Sequence, residues 1–288
     1  MSHNLEYAAT LVGVKLAQAL SPPMADRLGA GLGSLVHMLA GSRRRIAHDN
    51  ISQALGNEFT RAEIDEIVYN VFRNIGRTLV EFSRFRKTGR QGVLDIVVGD
   101  GEDNIREALG KGRGGIITTA HFGCWEMLGA WFGCRGYEMD FLVGTQHNAK
   151  VDDLFVDFRR SMGVGIIPLK SSIRGIYKAL RANHLVGLVA DQHTGNGLPI
   201  DFFGRKAAAA KGPATFAVKI GSPVLPLLMR RESFDRHVVM AGKPLYPSKD
   251  ADPAQEVDRI TIECNRFFEK GIYAYPDQWM WTHRRWKL

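Results

Sequence analysis

The stretch Gly114-Gly-Ile-Ile-Thr-Thr-Ala-His-Phe-Gly-Cys-Trp-Glu126 decides how this chain folds. Its block Ile116 to Thr119 is apolar and β-branched, follows the turn-like Gly110-Lys-Gly-Arg-Gly-Gly115, and is short and continuous, as a central parallel strand should be. The sequence then turns helical at about Cys124, where Trp125, Leu128, Gly129 and Phe132 share one face. His121 therefore falls in a strand-to-helix turn and Glu126 in the first helical turn. Ligands of open α/β sheets gather outside the carboxyl ends of strands. A carboxylate five residues on reaches one imidazole nitrogen, fixes the tautomer and leaves the other nitrogen as a general base. The alternative is a buried histidine satisfied by a backbone carbonyl, beside a glutamate placed there because helix starts favour acids.

Working outward, apolar blocks alternate with helical patterns. Strands are expected near Val93 to Val98, Phe141 to Val143, Val164 to Ile167, Leu185 to Ala190, Pro223 to Met229 and His237 to Met240. Helices are expected near Glu102 to Leu109, Val151 to Met162, Ser172 to Ala182, Pro213 to Ile220 and Pro253 to Lys270. Thr60-Arg-Ala-Glu63 is a capping box opening a further helix, with Ile64, Ile67, Val68, Val71, Phe72, Ile75 and Leu79 at helical spacing. The fold class is α/β, a largely parallel central sheet covered by helices. Gly29-Ala-Gly-Leu-Gly33 follows no strand, and Gly110 to Gly115 precedes one instead of opening a helix, so neither has the setting of a dinucleotide or phosphate loop.

Composition bounds the partners. The chain has 288 residues, a formal net charge of +8 and three cysteines, Cys124, Cys134 and Cys264, with no CxxC pair. The charge points to an anionic partner: phosphorylated lipid, acidic carrier protein or nucleic acid. No zinc spacing or aromatic-rich nucleic-acid motif supports the last of these, so no nucleic acid is expected. His147, His184 and His193 are scattered, and neither a metal nor a cofactor is expected. Cysteine usage suits a reducing compartment. Near the start, Leu11, Val12, Leu16 and Leu20 share one helical face, and Leu28, Leu32, Leu35, Val36 and Leu39 another, but Lys15, Asp26 and Arg27 interrupt the apolar run a spanning helix needs. These faces suit either helices lying in a membrane interface or packing on the core. Arg43-Arg-Arg45 follows them and can meet anionic headgroups or simply be solvated.

His121-Phe-Gly-Cys-Trp-Glu126 resembles the His-x4-Asp/Glu motif of glycerolipid acyltransferases, and specifically that of the lipid A biosynthesis (lauroyl/myristoyl) acyltransferase family. Three further blocks match in order: Arg44-Arg-Ile-Ala-His-Asp-Asn50; Asp191-Gln through Phe202-Phe-Gly204 with Lys211-Gly-Pro-Ala214; and Pro276-Asp-Gln-Trp-Met-Trp-Thr-His-Arg-Arg285. The resemblance spans nearly the whole chain. It implies an N-terminal helical, membrane-associating region over 1–50 and an acyltransferase domain over 51–288. It also implies an enzyme at the cytoplasmic face of the bacterial inner membrane, transferring a fatty acyl chain from acyl carrier protein to a hydroxyl of a lipid A precursor, a phosphorylated glycolipid. His121 is then the base and Glu126 its orienting carboxylate. Arg159 is the cation for a substrate phosphate or the thioester carbonyl, and Asp191 is an acidic site position. Arg205 and Lys211 are phosphate contacts or surface cations. Cys124 lies at a position where the family tolerates other residues. Two departures, Gly144-Thr145 in place of Arg-Pro and Ala207 to Ala210 in place of a threonine before the Lys-Gly-Pro turn, leave the acceptor open. The rivals are another acceptor, such as a glycerophospholipid, glycolipid or aminolipid, with acyl-CoA as donor, and a non-catalytic lipid-binding membrane protein.

Overall fold

Five consecutive buried residues, Gly115–Thr119, form the strand on which the architecture hangs. The computed structural model describes residues 2–99 and 101–287; Met1, Asp100 and Leu288 lie outside the described residues. From the amino end run α1 (His3–Ala19), α2 (Pro22–Leu39), α3 (Gly41–Leu55), α4 (Arg61–Ser83) and α5 (Phe85–Ile96), then β1 (Val97–Gly99), α6 (Glu102–Gly110) and β2 (Gly115–Thr119). Next come α7 (Trp125–Cys134), β3 (Met139–Val143), α8 (Ala149–Ser161), β4 (Val164–Pro168), a 3-10 turn (Leu169–Ser171), α9 (Ser172–Arg181) and β5 (Leu185–Val189). The chain continues through β6 (Leu198–Phe202), β7 (Arg205–Ala209), α10 (Gly212–Ile220), β8 (Val224–Ser233), β9 (Arg236–Ala241) and α11 (Pro253–Ala274).

Seven strands form one sheet in the order β1-β9-β8-β2-β5-β3-β4. Neighbours are parallel except β8 and β9, which form an antiparallel hairpin. β2 is central, pairing with β5 from Gly115↔Leu185 to Thr119↔Val189 and with β8 at Ile116↔Val224. Burial on both faces explains its unbroken apolar reading. One face packs under α4 to α8 through Phe82, Ile105, Trp131, Phe132 and Phe158; the other packs under α9 to α11 through Ile176, Leu180, Ala217 and Ile260.

The expected strand over 93–98 is corrected: α5 continues through Ile96, and only Val97–Gly99 is extended. Val93 is fully buried from a helix instead of a strand, an ambiguity that short apolar runs always carry. The capping box is present, with the Thr60 hydroxyl accepting from the Glu63 N–H and the Glu63 carboxylate from the Thr60 N–H at 2.7 Å.

At the amino end the small residues turn inward. Ala17, Ala25, Gly29, Ala30 and Gly33 are buried, whereas Val12, Leu16, Leu32, Leu35, Val36, Met38 and Leu39 are exposed. A Cβ on Gly33 would lie 2.2 Å from the Phe72 carbonyl oxygen and one on Gly76 2.2 Å from that of Gly29, so α2 and α4 cross at backbone contact. Gly29-Ala-Gly-Leu-Gly33 is thus a helix-packing motif. Among the described residues no helix is long and apolar enough to cross a membrane.

Candidate functional site

His121 follows β2 in the turn to α7, where the geometry is forced. Gly123 sits at φ 53°, and a Cβ there would lie 1.9 Å from the Met229 carbonyl oxygen. Only glycine fits that approach. The turn is strapped from the carboxyl-terminal segment: the Gly123 N–H donates to the Gln278 carbonyl at 2.8 Å and the Met280 N–H to the His121 carbonyl at 3.0 Å. The Thr78 hydroxyl on α4 donates to the Gly123 carbonyl at 2.8 Å.

The imidazole partner is Asp191, just beyond β5. His121 Nδ1 lies 2.8 Å from Asp191 Oδ1, while Oδ2 accepts from the His121 backbone N–H at 2.9 Å and from Trp279 Nε1 at 2.7 Å. Asp191 is 1% exposed. Burial alone would raise its pKa, but His121 and these donors pull it far below the usual carboxylate range. An ionised carboxylate only accepts, so Nδ1 carries the proton and Nε2 presents its lone pair. Burial opposes the imidazolium, yet Asp191, aided by Glu126, outweighs it and raises the His121 pKa above the ordinary value.

The pairing of His121 with Glu126 expected from the sequence is corrected here. Glu126 takes Arg159 of α8 in a two-pronged pair, Nε to Oε2 at 2.9 Å and Nη2 to Oε1 at 2.6 Å. Helix direction gives the reason, because Glu126 leaves the first turn of α7 toward α8, while β5 delivers Asp191 beside β2, two residues beyond whose end His121 lies. Both pairs open on one cleft of about 540 Å³, with apolar walls from Leu79, Phe82, Phe141, Val143, Phe155 and Leu169. Gln192 completes its polar floor, its amide 3.5 Å from His121 Nδ1. A larger cavity of about 620 Å³ lies across α4 beside Arg77, Arg84 and Lys87, and no histidine lines it. The polarised imidazole opens on the smaller space.

The remaining cations are elsewhere. Arg205 lies over the Trp286 ring at 4.7 Å, and Lys211 is exposed at the start of α10; neither lines the cleft. Arg285, the last residue of the final sequence block, is fully buried, donating to the Ala208 carbonyl at 2.6 Å and to Asn265 at 3.1 Å, and burial lowers its pKa to about 10. Trp281 is likewise core. Asn50 donates to the carbonyls of Trp281 and His283, each at 2.8 Å, so the first and last sequence blocks meet in space. Cys124 is fully buried, and burial together with Glu81 keeps its thiol protonated, which disarms it as a nucleophile. Trp279 escaped sequence reasoning as a site residue; its only signal was membership of the last block.

The fold and this polarised imidazole define an α/β protein that presents a histidine–aspartate pair beyond the carboxyl ends of its central strands. A family model described as bacterial lipid A biosynthesis acyltransferase matches residues 2–288, and the chain belongs to that family. It is similar to the phosphatidylinositol mannoside acyltransferase of Mycobacterium tuberculosis, at 30% identity over 210 residues, 70% of this chain and 62% of that protein. The match therefore spans less than two thirds of that relative's length. It is also similar to two Escherichia coli proteins at 24% identity: a lipid A biosynthesis lauroyltransferase, over 94% of this chain and 88% of that one, and a lipid A biosynthesis palmitoleoyltransferase, over 92% and 85%.

Proposed function

We propose that the protein transfers a fatty acyl group from acyl carrier protein to a hydroxyl of a lipid A precursor at the cytoplasmic face of the inner membrane. The observation that carries this reading is the His121–Asp191 pair opening on the apolar cleft. His121 Nε2 takes the acceptor hydroxyl proton as the oxygen attacks the thioester carbonyl, and Asp191 stabilises the imidazolium that forms. The proton then passes to the departing thiolate, so the acyl ester and a free thiol are the products and no acyl-enzyme is needed. Glu126 holds Arg159, whose Nη1 remains for the thioester oxygen or an acceptor phosphate. The walls of Phe82, Phe141 and Phe155 take the acyl chain and exclude water. Arg205 and Lys211 serve as outlying contacts for acceptor phosphate. The exposed apolar residues of α1 and α2, within the 1–50 region, rest on the membrane surface, with the acyltransferase domain following.

A second acceptor class, a mannosylated phosphoinositide, is favoured by the 30% identity with the M. tuberculosis protein. Purified protein offered both acceptors with a carrier-protein thioester decides between them. A new acyl ester on the lipid A precursor, lost about 10²- to 10⁴-fold in His121→Ala and weakened in Glu126→Ala, which releases Arg159, is the expected result. Near-normal turnover by folded His121→Ala would sink the mechanism.

A further inference from the structure

Between Asp157 and Asp191 the chain contains no acidic residue. Within that interval Lys170, Arg174, Lys178 and Arg181 recur at steps of four, four and three, which is the repeat of one helical face. All four are exposed on the 3-10 turn and α9, while Ile176, Ala179 and Leu180 of the same helix are buried against the sheet. At its upstream end the stripe meets two exposed apolar side chains, Leu169 (56% exposed) and Ile173 (66%). Leu169 also lines the cleft that holds His121 and Arg159. A cationic ridge with an apolar tip therefore ends at the door of the site.

Position separates this ridge from the apolar surface of α1 and α2. Those helices pack with α4 and α8 on one face of the sheet, and α9 packs on β4, β5 and α10 on the other. The two surfaces approach the cleft from opposite sides, one apolar, the other polar and positive. A bilayer covers the first by hydrophobic burial. The second suits a soluble anionic partner, because it lies on the opposite face of the sheet from that apolar surface, and a row of exposed cations gains from long-range attraction to a negative surface.

We infer that the face of Lys170, Arg174, Lys178 and Arg181 docks the acidic acyl carrier protein, with Leu169 and Ile173 as the apolar contact beside the entering prosthetic arm. This rests on the carrier-protein donor proposed above. The arrangement lets acceptor and donor enter the cleft without competing for one entrance: lipid from the α1–α2 side, thioester from the α9 side.

The test compares donors. In the triple variant Lys170→Glu, Arg174→Glu, Lys178→Glu, the KM for acyl carrier protein should rise about 10-fold or more, with kcat held within about twofold. Kinetics with acyl-pantetheine, an uncharged thioester lacking the protein, should match wild type, and this doubles as the check that the variant is folded. In the wild type the KM for the carrier should climb with ionic strength while that for acyl-pantetheine stays flat, a measurement that needs no substitution. An unchanged carrier KM in the variant, with wild type using the carrier, overturns the docking surface and leaves the donor reading standing. Wild type that turns over acyl-CoA but not acyl carrier protein overturns the donor reading and the surface with it. Loss of sedimentation with anionic phosphatidylglycerol vesicles, without a change in carrier KM, would reassign the ridge to the membrane.

Discussion

At the residue scale the site is a question of which carboxylate owns the imidazole. Asp191 accepts from three donors and stays ionised, so it fixes His121 with Nδ1 protonated. Asp191→Asn replaces an obligatory acceptor with an amide that can donate, which permits the wrong tautomer; turnover should fall about 10²- to 10⁴-fold. The sign of the pH effect follows from the raised His121 pKa. Below that value the ring is protonated and idle as a base, so wild-type activity should climb as pH rises through it, on a limb displaced upward from the ordinary imidazole value. Without the Asp191 charge the limb of the residual activity should move to lower pH, read from initial rates across the acid and neutral range; an unmoved limb would detach Asp191 from the base. The sequence exposed His121 and Asp191 as separate marks at the ends of two strands. Their partnership was hidden because it spans 70 residues and depends on β5 lying beside β2, whereas Glu126, five residues away, looked the nearer partner. Glu126 remains a contributor through its charge and through Arg159.

At the element scale, local signals were read well where period and length agreed, as in β2, β5, α4 and α11. They failed at α5, and they failed again at the hairpin β6–β7. Ala207, Ala208 and Ala209 have little strand preference, and the two-residue turn Phe203-Gly204, both at positive φ, was passed over although Gly204 marks it. The tight crossing of α2 on α4 gives a paired prediction. Gly33→Ala places a Cβ 2.2 Å from the backbone oxygen of Phe72, which cannot rotate away, so α2 must lift; the cost should be about 1–3 kcal/mol. Gly31→Ala, with open space around its Cβ, should instead hold or raise stability by about 0.5–1 kcal/mol through helix propensity. Urea unfolding of both variants checks the contrast, and equal effects would mean that the crossing tolerates separation.

At the scale of the molecule, a buried ion pair ties the two halves of the fold. Arg231 of β8 meets Glu81 of α4 at 2.8 and 2.5 Å and also donates to Thr78 at 2.8 Å, the residue that holds the Gly123 carbonyl. Burial pushes Glu81 upward, but Arg231 and His237 more than reverse this and set its pKa at about 2. Arg231→Met strands a carboxylate in the interior and should cost about 3–5 kcal/mol, while the double change Glu81→Leu, Arg231→Met should recover most of it. Because the Glu81 pKa is depressed, the contribution of the pair is present above the unfolded carboxylate value and is lost as pH falls through the folded one. Acid unfolding of wild type and double variant reads this: the double variant should lose less stability on acidification. None of this network was legible in sequence, since Glu81 and Arg231 lie 150 residues apart and each reads alone as a surface charge.

The strap of residues 276–280 across the histidine turn ties the site to the integrity of the core. Gln278 closes a short 3-10 turn, Pro276–Gln278, and with Trp279 and Met280 supplies the bonds that position Gly123, Asp191 and His121; none of the three lies in a strand of the seven-stranded sheet. Trp279 is nonetheless buried, with Trp281 just beyond it, so the strap lifts only if the packing beneath it opens. Gentle heating or low denaturant should therefore silence the protein only as its native circular dichroism is lost, and activity that fades well before the dichroism would show that the strap detaches alone.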